Sequence, residues 1–332
     1  MFGSRSRRVL VGLAAGLLMA TAACSSQGGA QSASGGGTGG AAAADSPRLT
    51  FAMISHAPDG DAFFDVIKKG AQEAADKDNV DFKYSSSGEV PVQSTFIQNA
   101  IDSKVDGIAV SMPNPEALIP QITKATDAGI PVIIYNAGDR DWQKTGALSF
   151  FGEPELLAGQ AAGEQLNEIG ATHALCVIQQ AGQIQLEDRC DGITEKFTGT
   201  TDRLDADGTD LPSFVSTVSA KLQQDPSIDA VITLGPALGV GVANSVKESG
   251  SKVKVVTYAF NKDVVPMLQS GDIAFTIDQQ PWLQGYQSID SLWAYKKNMS
   301  SLGSQVSVAT GPVVVDKENI DAIIPFINEG LR

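Results

Sequence analysis

Leu49-Thr-Phe-Ala-Met-Ile-Ser-His56 runs into Ala57-Pro-Asp-Gly-Asp-Ala62 and then Phe63-Phe-Asp-Val-Ile-Lys-Lys-Gly70. Residues 49–54 are short, mostly apolar and suited to a strand buried on both faces. Pro58, Asp59 and Gly60 break the run. Helical spacing follows, with Phe63, Val66, Ile67 and Ala71 on one face and Asp65, Lys68, Lys69 and Gln72 on the other. This strand–loop–helix unit predicts an open α/β sheet, in which ligands sit beyond the carboxyl ends of the strands. Phe63 and Phe64 stand at that loop. Adjacent helix positions point in different directions, so one ring is expected in the core and the other free to wall a ligand.

The same unit recurs. Strands are expected at Val80–Tyr84, Asp106–Met112 and Ile130–Tyr135, with helices at 92–103 and 116–128 between them, and a second series begins after Gly146-Ala-Leu-Ser-Phe-Phe151. That series has strands at His173–Gln179, Thr200–Asp205, Asp229–Leu234, Lys252–Tyr258 and Asp272–Asp278. Helices at 154–169, 185–197, 211–224, 237–249 and 262–270 precede and separate these strands. Repeated βα alternation means parallel sheets covered on both faces, and two series of similar length mean two similar lobes.

The chain before this body reads as an address. Arg5, Arg7 and Arg8 precede an apolar run from Val9 to Ala20 and small residues up to Cys24, the layout of a secretory signal. The apolar run is short for a membrane span. Thr21-Ala-Ala-Cys24 resembles the lipobox of bacterial lipoproteins, which implies cleavage after residue 23 and a lipid on Cys24. That pattern prefers an aliphatic residue where this chain has Thr21. Residues 25–46, rich in Gly, Ser and Ala, suit a slack tether. The expected location is therefore the outer face of the cell membrane, held through the N-terminal lipid only.

The formal net charge is −14, and loss of the three signal arginines leaves the body more acidic still. An acidic body argues against nucleic acid as a partner. Besides Cys24 there are only Cys176 and Cys190. An oxidising compartment permits a bridge between a strand cysteine and one on the following helix, although two buried thiols remain an alternative. Two histidines and no zinc-spaced Cys/His cluster leave no expected metal or cofactor. Gly239-Val-Gly241-Val-Ala-Asn244 lacks the last glycine of a dinucleotide fingerprint, and no Gly-x-Ser-x-Gly elbow is present. No catalysis is expected. A secreted glycoside-processing enzyme would need a close carboxylate pair in the cleft.

In order along the chain, the opening strand with Phe63-Phe64, the Asp106-Gly-Ile-Ala-Val strand, Gly129-Ile-Pro-Val, Arg189-Cys-Asp-Gly192 and Asp278-Gln-Gln-Pro281 resemble the ribose-type periplasmic sugar-binding proteins. The likeness spans about residues 48–316. Thr233-Leu-Gly-Pro236 and Asp278–Tyr286 resemble one branch of that family. The resemblance implies the type I periplasmic binding protein fold, two doubly wound parallel-sheet lobes joined by a three-crossing hinge. Crossings are expected near 150–153, 278–281 and 307–312, giving a first lobe of 47–151 plus 281–307 and a second of 152–280 plus 308–332. It further implies a monomeric solute-binding component that captures a monosaccharide or polyol by hinge closure and delivers it to an ABC permease. A receptor handing a sugar-like signal to a membrane sensor is the alternative. A sugar-operon repressor shares the fold, but a signal and tether stand here where its DNA-binding headpiece would be.

By the same resemblance, Phe63 and Phe64 match the aromatic pair of the first lobe, and Asp61 the polar position before it. Asn136 falls where the family often has Asp, Arg189 matches the second lobe's arginine, and Gln279 the hinge amide. Arg189 has a surface ion pair with Glu187 or Asp191 as its alternative role, and Asn136 that of a turn residue. His56, at the mouth of the first loop, either donates to a ligand hydroxyl or lies in solvent. Relative to the ribose-binding pattern, Ala137 replaces an arginine, Gly235 an asparagine and Ala259 an aspartate. Either the ligand is not ribose, or local insertions supply other partners; fewer charged grips suit an acyclic polyol or a differently sized monosaccharide.

Overall fold

The computed structural model describes residues 48–332 except Asp59 and Ser304; the expected signal, lipidated Cys24 and tether lie outside the described residues. The first sheet is built from β1 (Thr50–Ser55), β2 (Asp81–Ser86), β3 (Gly107–Val110), β4 (Val132–Tyr135) and β5 (Ser149–Gly152). Helices α1 (Ala62–Lys77), α2 (Val90–Asp102) and α3 (Pro115–Asp127) connect them, and a short 3-10 turn at Trp142–Thr145 precedes β5. Alternate residues of β1 divide between the two faces. Phe51 and Met53 join one core with Ile67 and Ala71 of α1, while Ala52 and Ile54 join another with Ile97 and Leu118. That division is why an unbroken apolar run forms this strand.

The chain then enters the second lobe through α4 (Glu155–Glu168), followed by β6 (His173–Ile178), α5 (Ile184–Lys196), β7 (Thr200–Asp205) and α6 (Leu211–Gln224). It continues through β8 (Ala230–Thr233), α7 (Pro236–Ser249), β9 (Lys254–Tyr258), α8 (Val264–Ser270) and β10 (Phe275–Asp278). It returns to the first lobe in α9 (Pro281–Asn298) and β11 (Val308–Ala309), and ends in β12 (Val313–Asp316) and α10 (Ile324–Asn328). The sheet orders are β11-β5-β4-β3-β1-β2 and β12-β10-β9-β8-β6-β7. Among the described strands only β12 runs antiparallel to its neighbour. Apart from the direction of the edge strands β11 and β12 the lobes repeat one topology, and three segments of chain join them, after β5, after β10 and between β11 and β12.

The repetition extends to helix packing. In the first lobe α1 crosses α9 at two glycines; a Cβ on Gly70 would lie 2.0 Å from the Trp282 carbonyl, and one on Gly285 1.8 Å from that of Ile67. In the second lobe α4 crosses α5 in the same way, with Gly159 against the Arg189 carbonyl at 2.1 Å and Gly192 against that of Leu156 at 2.2 Å. No side chain fits at these points, so each helix pair packs backbone to backbone. Cys176 of β6 and Cys190 of α5 are joined as a disulfide, with Cα atoms 5.9 Å apart. Both cysteines lie in the core between α4, α5 and the second sheet.

Candidate ligand-binding cleft

Parallel strands in both sheets end at the junction of the lobes, so the loops after β1, β3 and β4 face those after β6, β8 and β9. In the first lobe Asp61 caps α1, accepting from the amides of Phe63 and Phe64 at 2.9 and 3.3 Å. Burial raises its pKa, against the pull of those amides. The Phe64 ring is buried in the core, whereas Phe63 is half-buried and meets it edge-on at 5.3 Å. His56 closes the group, its ring 4.9 Å from Phe64 and its Nδ1 2.9 Å from Ser111 Oγ. Desolvation lowers the His56 pKa to about 4, so the imidazole is neutral and exchanges a hydrogen bond with Ser111. A cavity of about 300 Å³ lies on the Asp61 side, lined also by Lys68, Tyr84 and Ser86 of the first lobe alone.

Asn136 and Gln279 meet at the hinge through Gln284. Asn136 follows β4 with a left-handed backbone (φ 63°), and its Nδ2 donates to Gln284 Oε1 at 3.1 Å. Gln284 Nε2 donates in turn to the Gln279 carbonyl and to Thr310 Oγ1, both at 3.1 Å. One amide on α9 thereby ties the end of β4 to the second and third crossings. Asn136 is therefore a turn residue whose side chain points into this network. Gln279 is buried, and its Oε1 lacks a hydrogen-bond partner among the described residues.

Arg189 stands in the second lobe, 5% exposed. Its Nε and Nη2 donate to Glu155 Oε2 and Oε1 at 2.6 and 3.1 Å, its Nη1 to the Leu234 carbonyl at 3.3 Å, and Tyr258 stacks below it at 4.5 Å. The surface ion pair considered for it is made instead by Arg203, which bridges Glu187 and Asp191. Burial pushes Glu155 up to about 7, against the pull of Arg189. Glu153, on the first crossing, is wholly buried with Arg189 at 3.9 Å and no hydrogen-bond donor on either oxygen among the described residues. Burial and the neighbouring Glu155 raise its pKa well above the usual range.

The lobes also touch directly. Arg140, in the loop after β4, pairs with Asp188 of α5 at 2.6 Å, and the Glu155 amide donates to Asp139 Oδ2 at 3.4 Å. Burial raises Asp188 to about 6 despite Arg140. Gln185, at the start of α5, faces Met112, Pro113 and the 138–141 loop across a narrow gap. Glu153, Glu155, Asp139, Arg140, Asp188, Gln185 and Gln284 were not singled out from sequence. The pair Glu153-Pro-Glu155, placed directly after the buried run Phe150-Phe151, was the available signal, because carboxylates at a buried strand end need partners.

Residues 51–299 match the family model described as the periplasmic binding protein domain. The chain belongs to that family. The family comprises extracytoplasmic sugar-binding components of transporters, which are not enzymes. Among curated relatives, the D-ribose/D-allose-binding protein of Pseudomonas aeruginosa is 27% identical over 71% of this chain and 77% of its own length. The xylitol-binding protein of Mycolicibacterium smegmatis is 24% identical over 81% of this chain and 78% of its own. Among solved structures, a carbohydrate transporter from Acidothermus cellulolyticus 11B, in complex with myo-inositol, is 47% identical with a TM-score of 0.83. That likeness covers 86% of this chain and all of the other. In this periplasmic binding protein the polar groups facing the lobe junction include amides, carboxylates and the guanidiniums of Arg189 and Arg140. These are groups that pair with hydroxyls, and the aromatic Phe63 is suited to a C–H face.

Proposed function

We propose that this chain is the solute-binding component of an ABC importer and that it captures a cyclic polyol, with myo-inositol as the leading candidate. The observation that carries this reading is the 47% identity to a solved protein holding myo-inositol, extending over the whole of that protein. The chemistry is compatible. A ring bearing a hydroxyl on every carbon needs donors and acceptors on all sides, and a buried hydroxyl left unpaired costs free energy. Ala137, Gly235 and Ala259 stand where the ribose-binding pattern has three charged or amide groups, which argues against ribose as the cargo. The proposed contacts are Phe63 from the first lobe, backed by the buried Phe64 ring, Arg189 from the second and Gln279 at the hinge. Asp61, Asn136 and His56 support these from behind, through the α1 cap, the Gln284 network and Ser111.

In this reading ligand touches both lobes only when they are closed, so binding favours the closed state, which the permease recognises. The protein works without catalysis or cofactor, as a monomer, tethered by a lipid on Cys24 at the outer face of the membrane. Calorimetric titration with myo-inositol, scyllo-inositol, xylitol, ribose and glucose tests it. Saturable binding of an inositol, with the monosaccharides at least tenfold weaker, is expected. Tighter binding of an aldose would move the cargo to monosaccharides, and no binding by any of the five would reject the sugar and polyol reading.

A further inference from the structure

Arg189 carries five N–H groups, and three have protein acceptors in Glu155 and the Leu234 carbonyl. Among the described residues one N–H on Nη1 and one on Nη2 remain without a hydrogen-bond acceptor. The guanidinium is otherwise fixed in every direction. Glu155 grips its edge through two oxygens, Tyr258 supports its face, and Leu234 holds the far nitrogen. A planar fork with one free donor on each terminal nitrogen matches two adjacent hydroxyls, as on neighbouring ring carbons. Glu155 is the first residue of α4, where the helix N-terminus favours its charge, and follows the first crossing by two residues. Its hold on Arg189 is thus set at the point where the hinge enters the second lobe.

We propose that Glu155 is a positioning residue that fixes the Arg189 guanidinium so that its two free N–H groups grip adjacent hydroxyls of the ligand. This rests on the polyol-binding reading above. Glu155 acts only through Arg189 and does not touch the ligand.

The test is a double-mutant cycle on the purified protein, read by calorimetric affinity for myo-inositol, with melting temperature as the fold control. Glu155→Gln keeps the shape but loses the charge and one acceptor, and should weaken binding roughly tenfold. Glu155→Asp, which keeps the charge, should recover part of that loss. In an Arg189→Lys background, where no fork remains to be aimed, Glu155→Gln should change affinity less than twofold. A merely structural Glu155 would lower the melting temperature in both backgrounds and leave affinity unmoved, which would overturn the proposal. An equal loss in both backgrounds would make Glu155 a direct contact and overturn it as well. If Glu155→Gln does not fold, the same cycle run with Glu155→Asp carries the decision. Wild-type protein that binds none of the panel rejects the functional reading itself, whereas binding that ignores Glu155 rejects this inference alone.

Discussion

Glu153 sits on the first crossing between the lobes, directly after the buried strand β5. It is a carboxylate with no exposed surface, no hydrogen-bond donor among the described residues and a cation no nearer than 3.9 Å. Burial, Glu155, Asp278 and Asp139 all raise its pKa, and only Arg189 opposes them. A folded-state pKa raised above the unfolded value means that folding takes up protons. Stability is then fully present below the unfolded carboxylate range of about 4.5 and is lost as pH rises through the folded pKa. Glu155, raised to about 7, and Asp188, raised to about 6, act with the same sign. Glu153→Gln removes one of these charges, so it should melt close to wild type at pH 5 and higher than wild type at pH 8. Each kcal/mol gained should appear as roughly 2–4 °C. Melting curves at the two pH values decide it, and a difference that does not grow with pH would show that Glu153 is ionised at no cost. At this scale sequence gave residue types but not partners. Family resemblance singled out Arg189, yet its Glu155 lies 34 residues away, and the Gln284 that occupies Asn136 lies 148 residues away.

At the scale of elements, sequence pattern located all the strands and helices of the two series except β5, because the unbroken apolar runs of β1 and β6 and the apolar stripe on α1 are direct records of which faces are buried. Ends fall within a few residues of the expected ones; β2, expected to stop at Tyr84, runs on to Ser86. Close approach of helices was not legible, since a glycine in a helical stretch looks the same whether it faces a backbone or water. Gly159 faces the Arg189 carbonyl so closely that a methyl group forces α4 and α5 apart. Gly159→Ala should therefore cost at least about 1–3 kcal/mol, the range for overpacking a tight core. It should weaken ligand binding too, because α5 carries Arg189. Gly88→Ala is the control, since its Cβ would meet nothing nearer than 3.9 Å. Chemical denaturation of the two variants should separate them clearly. Equal stabilities would mean that the helix pair can open without loss.

For the whole molecule, duplication of the βα series announced two lobes, and family resemblance supplied the three crossings that no local pattern shows. What sequence could not show is which surfaces meet when the lobes approach. Arg140 and Asp188 form that contact as an ion pair that is half open to solvent on the arginine side and buried on the aspartate side. Such a pair is worth about 1 kcal/mol or less while it stays wet. Breaking it also strands a buried carboxylate whose second oxygen already has no donor among the described residues. A bias of about 1 kcal/mol shifts a two-state equilibrium roughly fivefold, and a ligand that favours the closed state must then make up the difference. Arg140→Ala should thus open the ligand-free protein, seen as a larger radius of gyration by small-angle scattering. It should also weaken ligand affinity by a similar factor, and saturating ligand should restore the compact radius. An unchanged radius together with unchanged affinity would mean that the pair forms only incidentally between lobes held together by their three crossings.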